Sequence, residues 1–168
     1  LSSDGVTVDT GGPSGVAPRD GSGASDLDYQ TSTAVIEANW DAFTDAQSGI
    51  DHYEWAIGTS AGGTEVLGFT SVGAATSASR AGLSLTSGEQ YFATVRAFNG
   101  AGMSTTLSSD GVTVDTSAPP LDQVNDGTGS DVDFQPSAST IEANWSGTND
   151  PESGIDHYEW AIGTTAGG

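Results

Sequence analysis

Carboxylates are the side chains of this sequence with the number and placement to do chemistry. Asp9, Asp20, Asp26, Asp28 and Asp45 fall in one stretch, and Asp115, Asp126, Asp131, Asp133, Asp150 and Glu152 fall in a second. Oxygen-only ligands at flexible spacing suit Ca²⁺, which takes roughly six to eight of them. Asp9, Asp20, Asp26, Asp45, Asp115, Asp126, Asp131, Asp150 and Glu152 are therefore candidate calcium ligands. Within Asp26-Leu27-Asp28 and Asp131-Val132-Asp133 an extended backbone points the two carboxylates to opposite faces, so at most one of each pair joins a common site. The competing reading is a solvated acidic surface whose charges are screened by salt. Catalysis has less to draw on. His52 and His157 are the only histidines, there is no Lys or Cys, and no Ser stands in a nucleophile-elbow context, so the chain is not expected to be an enzyme.

What positions these groups is a repeated unit. "SGIDHYEWAIGT" occurs at Ser48–Thr59 and again, letter for letter, at Ser153–Thr164; "EANW" recurs at the same offset of 105, and "LSSDGVTVDT" at Leu1 returns at Leu107 with an offset of 106. A unit of about 105 residues has the size of one β-sandwich and is too long for a solenoid repeat. Apolar residues alternate in "VIEANW" (Ile36, Ala38, Trp40), in "IDHYEWAI" (Tyr53, Trp55, Ile57) and in "YFATVRAFN" (Tyr91, Ala93, Val95, Ala97), with Gly, Ser, Thr, Asp and Asn between the runs. The pattern predicts seven strands near 26–30, 34–40, 50–58, 64–72, 76–85, 91–99 and 103–115, and no helix. A formal charge of −20 with three Arg and no Lys speaks against nucleic acid and anionic membranes as partners. Without Cys there is no disulfide framework. The opening residues have neither a basic nor an apolar region of the kind a secretory leader carries, and membrane insertion is not expected.

"LTSGEQYFATVRAFNGAGMS", Leu85–Ser104, resembles the fibronectin type III signature: Leu85 six residues before Tyr91, alternating Val95 and Ala97, then Asn99, Gly102 and Ser104. Trp40 and Tyr53 stand where that family places its core aromatics. The whole repeat is similar to tandem fibronectin-like repeats of very large bacterial surface and secreted proteins. The resemblance implies tandem seven-stranded fibronectin type III-like sandwiches, one complete and two partial: residues 1–10 as the last strand of one repeat, 11–116 as a complete repeat, and 117–168 as the opening half of the next.

It further implies that the start of the first strand and the loop after the second lie at one pole, near the preceding repeat. Asp9, Asp20, Asp26, Asp28 and Asp45 would gather at one junction, and Asp115, Asp126, Asp131, Asp133, Asp150 and Glu152 at the next, holding interdomain Ca²⁺. The function it points to is an extracellular stalk, fibre or spacer, partnered by neighbouring repeats and by lateral self-association, with short Pro-containing linkers such as "VDTSAPP". The alternative is an adhesin or carbohydrate-binding module, but Trp40 and Trp55 fall on the inward, core-facing side of strands rather than on loops. The outward face should carry His52, Glu54, Phe92, Thr94, Arg96 and Phe98, with Glu54 set against Arg96.

Overall fold

The structure, a computed structural model, describes residues 1–165 and is all-β, with no helix among them. It divides into two compact units, Leu1–Thr116 and Ser117–Gly168.

The first unit contains β1 (Arg19–Asp20), β2 (Tyr29–Gln30), β3 (Val35–Asn39), β4 (Ile50–Gly58), β5 (Leu67–Gly73), β6 (Ser77–Ala81), β7 (Gln90–Asn99), β8 (Ser104–Ser108) and β9 (Val112–Val114). One sheet is ordered β1-β3-β6; the other runs β2-β9-β7-β4-β5, with β8 also paired to β7. β8 and β9 lie end to end along one edge of β7, opposite Thr94–Phe98 and Gln90–Tyr91 respectively. β2 adds to β9 in parallel, and the other strand pairs of the unit are antiparallel. Each of the seven predicted spans thus contains a strand, the last of them broken in two. β1 lies outside those spans: two residues with no alternation, held as a strand only by their register against Asn39 and Ala38 of β3.

Period-two patterning decides which side chains meet. Ile36, Ala38 and Trp40 come from one sheet and Tyr53, Trp55, Ile57, Tyr91, Ala93, Val95, Ala97, Val112 and Val114 from the other, and all join a single core. The aromatic centre is packed edge to face, Trp40 and Phe43 each 5.8 Å from the Tyr53 ring. Two tyrosines also do polar work. The Tyr53 hydroxyl accepts the Phe43 amide at 2.9 Å, and the Tyr91 hydroxyl accepts the Thr86 amide at 2.9 Å, closing the corner before β7. The turn before Tyr91 passes through Gly88 at φ 85°, a conformation that a residue with a Cβ rarely adopts.

The second unit forms one antiparallel hairpin, β10 (Gln123–Asp126) with β11 (Ala143–Ser146). Its copy of "IDHYEWAI" forms no strand, although the same letters make β4 in the first unit. Tyr53, Trp55 and Ile57 are 3%, 3% and 0% exposed, whereas Tyr158, Trp160 and Ile162 are 50%, 55% and 58% exposed. Likewise "LSSDGVTVDT" supplies the end of β8 and all of β9 at Leu107–Thr116 but no strand at Leu1–Thr10. The difference is the neighbours. β4 is flanked by β5 and β7, and residues 117–168 contain no sequence corresponding to either, so strand propensity finds no ladder to satisfy. For the same reason Trp145, the counterpart of core Trp40, is 36% exposed.

Candidate functional site

Asn99 closes β7 and gathers the chain around itself. It is 2% exposed. Its Nδ2 donates to Asp9 Oδ2 at 3.0 Å, to the Gly11 carbonyl at 2.9 Å and to Asp45 Oδ2 at 3.1 Å. Its Oδ1 accepts the amides of Ala101 at 3.2 Å and Met103 at 2.8 Å, shaping the turn into β8. Asp9 is held from two further sides: Ser48 Oγ donates to its Oδ2 at 2.5 Å, and the Gly11 amide to its Oδ1 at 3.0 Å. Asp45 accepts the Ser48 and Gln47 amides through Oδ1, at 2.8 and 3.1 Å. The Ser48 amide and then the Asn99 side chain hold its carboxyl below the usual aspartate range. Asp9 and Asp45, two of the predicted ligands, are thus brought together, and a side-chain amide links them.

Asp20 and Asp26 meet elsewhere. Asp20 is in β1, fully buried at 0% exposure, and its Oδ2 accepts the Gly111 amide at 3.0 Å. Its Oδ1 is equally enclosed and makes no hydrogen bond among the described residues, although the Ser109 hydroxyl lies beside the carboxyl. Burial drives the Asp20 carboxyl up to about 7, the Ser109 hydroxyl and Gly111 amide pulling it back only in part. Asp26 Oδ1 accepts the Asp20 amide at 2.6 Å, and its carboxyl is also raised, by desolvation and by the neighbouring Asp110 carboxylate. One oxygen from each of Asp20, Asp26 and Asp110 lies within 4.8 Å of the others, a group that could hold a metal ion. Arg19, the preceding residue, points away and pairs with Asp41 at 3.0 Å.

These two sets do not share a pole. Ser109, next to Asp110, receives hydrogen bonding at Ala93, whereas Asp9 is bonded at Asn99, six residues further along β7 and so about 20 Å away at ~3.3 Å per residue. Asp28 contributes its carbonyl to the Thr113 amide and leaves its side chain exposed. Asp115 follows β9 directly, its amide donating to the Gln30 carbonyl.

In the second unit Asp126 and Asp131 repeat the local arrangement of Asp20 and Asp26, the Asp126 amide donating to Asp131 Oδ1 at 2.9 Å. Asp150 accepts the Glu152 and Ser153 amides at 3.1 Å each, as Asp45 does for Gln47 and Ser48. Glu152 Oε2 accepts the Ser117 hydroxyl at 3.2 Å, and Asp133 is exposed.

On the outward face of β4 and β7, Glu54 pairs with Arg96 at 3.5 Å as the register predicts. Arg96 lies over the Phe69 ring at 3.7 Å, and His52 stacks on Phe98 at 4.5 Å while its Nδ1 meets Asp51 at 2.7 Å. Thr94 departs from the expected outward exposure: it is buried, its Oγ1 accepting the Gly62 amide at 3.1 Å from the turn after β4. Asn99 appears in the sequence only as part of the fibronectin-like run, and Asp110 sits in the loop of the last strand. Nothing local to either residue marks it as a partner of Asp9 or Asp20. No protein-family model matches the chain, and no curated protein matches it.

Proposed function

We propose that the chain belongs to a tandem array of fibronectin type III-like sandwiches that acts outside the cell as a stalk, fibre or spacer. The observation that carries this reading is the seat of Asp9. By the repeat, Asp9 is the counterpart of Asp115, the residue that follows β9 without a gap. In the first unit that same residue type is held by Asn99, Ser48 and Gly11 at the far end of β7. A repeat built this way spends almost no free chain between its last strand and its seat on the next unit, and a pinned, short linker favours a fixed angle between units over free hinging. The neighbouring repeats are the partners in this reading. Calcium belongs to it as the ion that oxygen-only ligands of this kind take, where it would offset carboxylate repulsion and stiffen the array. The test is small-angle scattering of proteins with two, three and four tandem units. The largest dimension should grow by a constant increment per unit and shrink on chelation. Growth as about the square root of unit number, the behaviour of freely jointed beads, overturns the reading.

A further inference from the structure

We propose that Asp20, Asp26 and Asp110 form a Ca²⁺ site that staples the two sheets of the sandwich together. Asp20 belongs to β1, at the edge of the β1-β3-β6 sheet, and Asp26 to the loop that follows it. Asp110 lies in the break between β8 and β9, on the opposite sheet. An ion bound by all three would tie the edge of one sheet to the last strand of the other.

The cluster alone would be only an acidic surface. What points to a ligand is Asp20: a carboxyl fully withdrawn from water, with Oδ2 bonded to the Gly111 amide, the Ser109 hydroxyl beside it, and an enclosed Oδ1 that makes no hydrogen bond among the described residues. A buried carboxylate oxygen left unpaired is costly, and buried charges are ordinarily paired or coordinate metals. Among the described residues no arginine pairs with it: Arg19, the preceding residue, is engaged by Asn39 and Asp41 and acts on Asp26 only through its charge. Two further carboxylates stand within 4.8 Å, which increases the repulsion that a cation would cancel. The three carboxylates offer oxygen ligands only, a set that Ca²⁺ takes in flexible geometry at about 2.3–2.6 Å, whereas Mg²⁺ demands about 2.0–2.1 Å in a near-ideal octahedron. Water completes the shell on the exposed side, where Asp26 and Asp110 face solvent.

The local frame is preset. Gly111 stands at φ 93°, which aims its amide at Asp20, and the Asp20 amide fixes Asp26. The second copy of the loop keeps this frame, with Asp126 bonded to Asp131 and Asn144 holding the Gly127 and Gly129 carbonyls as Asn39 holds those of Gly21 and Gly23. Asp4 is the repeat counterpart of Asp110, so each ligand position recurs as Asp in one or other of the two flanking partial copies. A chain with no Cys and no Lys can form neither a disulfide nor a Lys–Asn isopeptide bond.

The experiment is a Ca²⁺ titration of the full chain, stripped of metal, followed by amide NMR shifts and by thermal unfolding. The Asp20, Leu27 and Gly111 amides should shift together with a Kd of about 10⁻⁴ to 10⁻³ M, the range of extracellular modules, and the melting temperature should rise with Ca²⁺. Asp26→Asn and Asp110→Asn alter exposed residues and should keep the fold while weakening binding at least tenfold. Asp156→Asn, at an exposed residue of the second unit, should leave binding at these amides unchanged. If Asp26→Asn does not fold, Asp110→Asn alone decides. Absence of shifts at these three amides, unchanged affinity in Asp110→Asn, or an equal response to Mg²⁺ overturns the assignment.

Discussion

Replacing Asn99 by Ala removes five hydrogen-bond contacts at once, three of them shared between the two N–H groups of Nδ2, and two of the five to carboxylates. Neutral hydrogen bonds contribute roughly 1 kcal/mol net and those to charged partners about 1.5–3 kcal/mol, so simple addition would give about 6–9 kcal/mol. That sum overstates the loss, because most of the abandoned groups keep another partner or reach water. Asp9 retains Ser48 and the Gly11 amide, Asp45 retains the amides of Gln47 and Ser48, and the turn around Ala101 is exposed. The Gly11 carbonyl and the Met103 amide lose most. A net loss of about 3 kcal/mol is expected, against a domain stability of roughly 5–15 kcal/mol. Asp9→Ala is the control: it breaks only the linker's side of the hub and should cost about 1 kcal/mol or less, while the Gly11 amide, which donates to Asp9, exchanges freely. Urea unfolding by circular dichroism gives the first quantity as a lowered midpoint at constant m, and hydrogen exchange gives the second. An Asn99→Ala protein within about 0.5 kcal/mol of wild type would refute the hub; equal losses in both variants would place the energy in the linker contact rather than in the turn.

Tyr91→Phe and Tyr53→Phe each delete one acceptor for a backbone amide, but only the Phe43 amide is buried. Urea unfolding should show a loss of about 1 kcal/mol for Tyr91→Phe and up to about 3 kcal/mol for Tyr53→Phe. In chelator, Asp20 should make stability depend on pH. Its folded pKa of about 7 exceeds its ordinary value near 4, so between those limits the folded state binds the extra proton and stability falls as pH rises, levelling off above about pH 7. The fall attributable to this group is on the order of 4 kcal/mol. Asp20→Asn should flatten that part of the profile, and an unchanged slope in the variant would show that another group is responsible.

The strands were legible because their inward rows are apolar at every second residue: Ile36, Ala38 and Trp40 against Tyr53, Trp55 and Ile57. β1 was not, because Arg19 and Asp20 have no pattern and are made a strand by β3. Thr94 reads as outward by parity, and parity is right about its face; a turn from another part of the chain covers it. The acidic residues were legible as a class but not as sites. Sequence spacing places Asp9 and Asp20 close together, whereas the fold sends them to different reaches of β7. Partner choice there is long-range: Asp9 finds Asn99, and Asp20 finds the Asp110–Gly111 loop.

A segment that is a buried strand in one unit and irregular in the other, with no letter changed, carries no address of its own. With the same letters, the second copy fits the β5 and β7 edges as the first does, which is the condition for strand exchange between the two copies. Timing can resolve the competition. Synthesis at roughly 5–20 residues per second leaves about 2–7 s between the end of the first unit at Thr116 and the start of the second copy at Ser153, time in which a β-sandwich that folds in milliseconds to seconds can close. The first copy of "SGIDHYEWAIGT" can therefore be enclosed before its twin leaves the ribosome. Refolding from denaturant presents all copies together, and there the order of synthesis no longer protects the pairing.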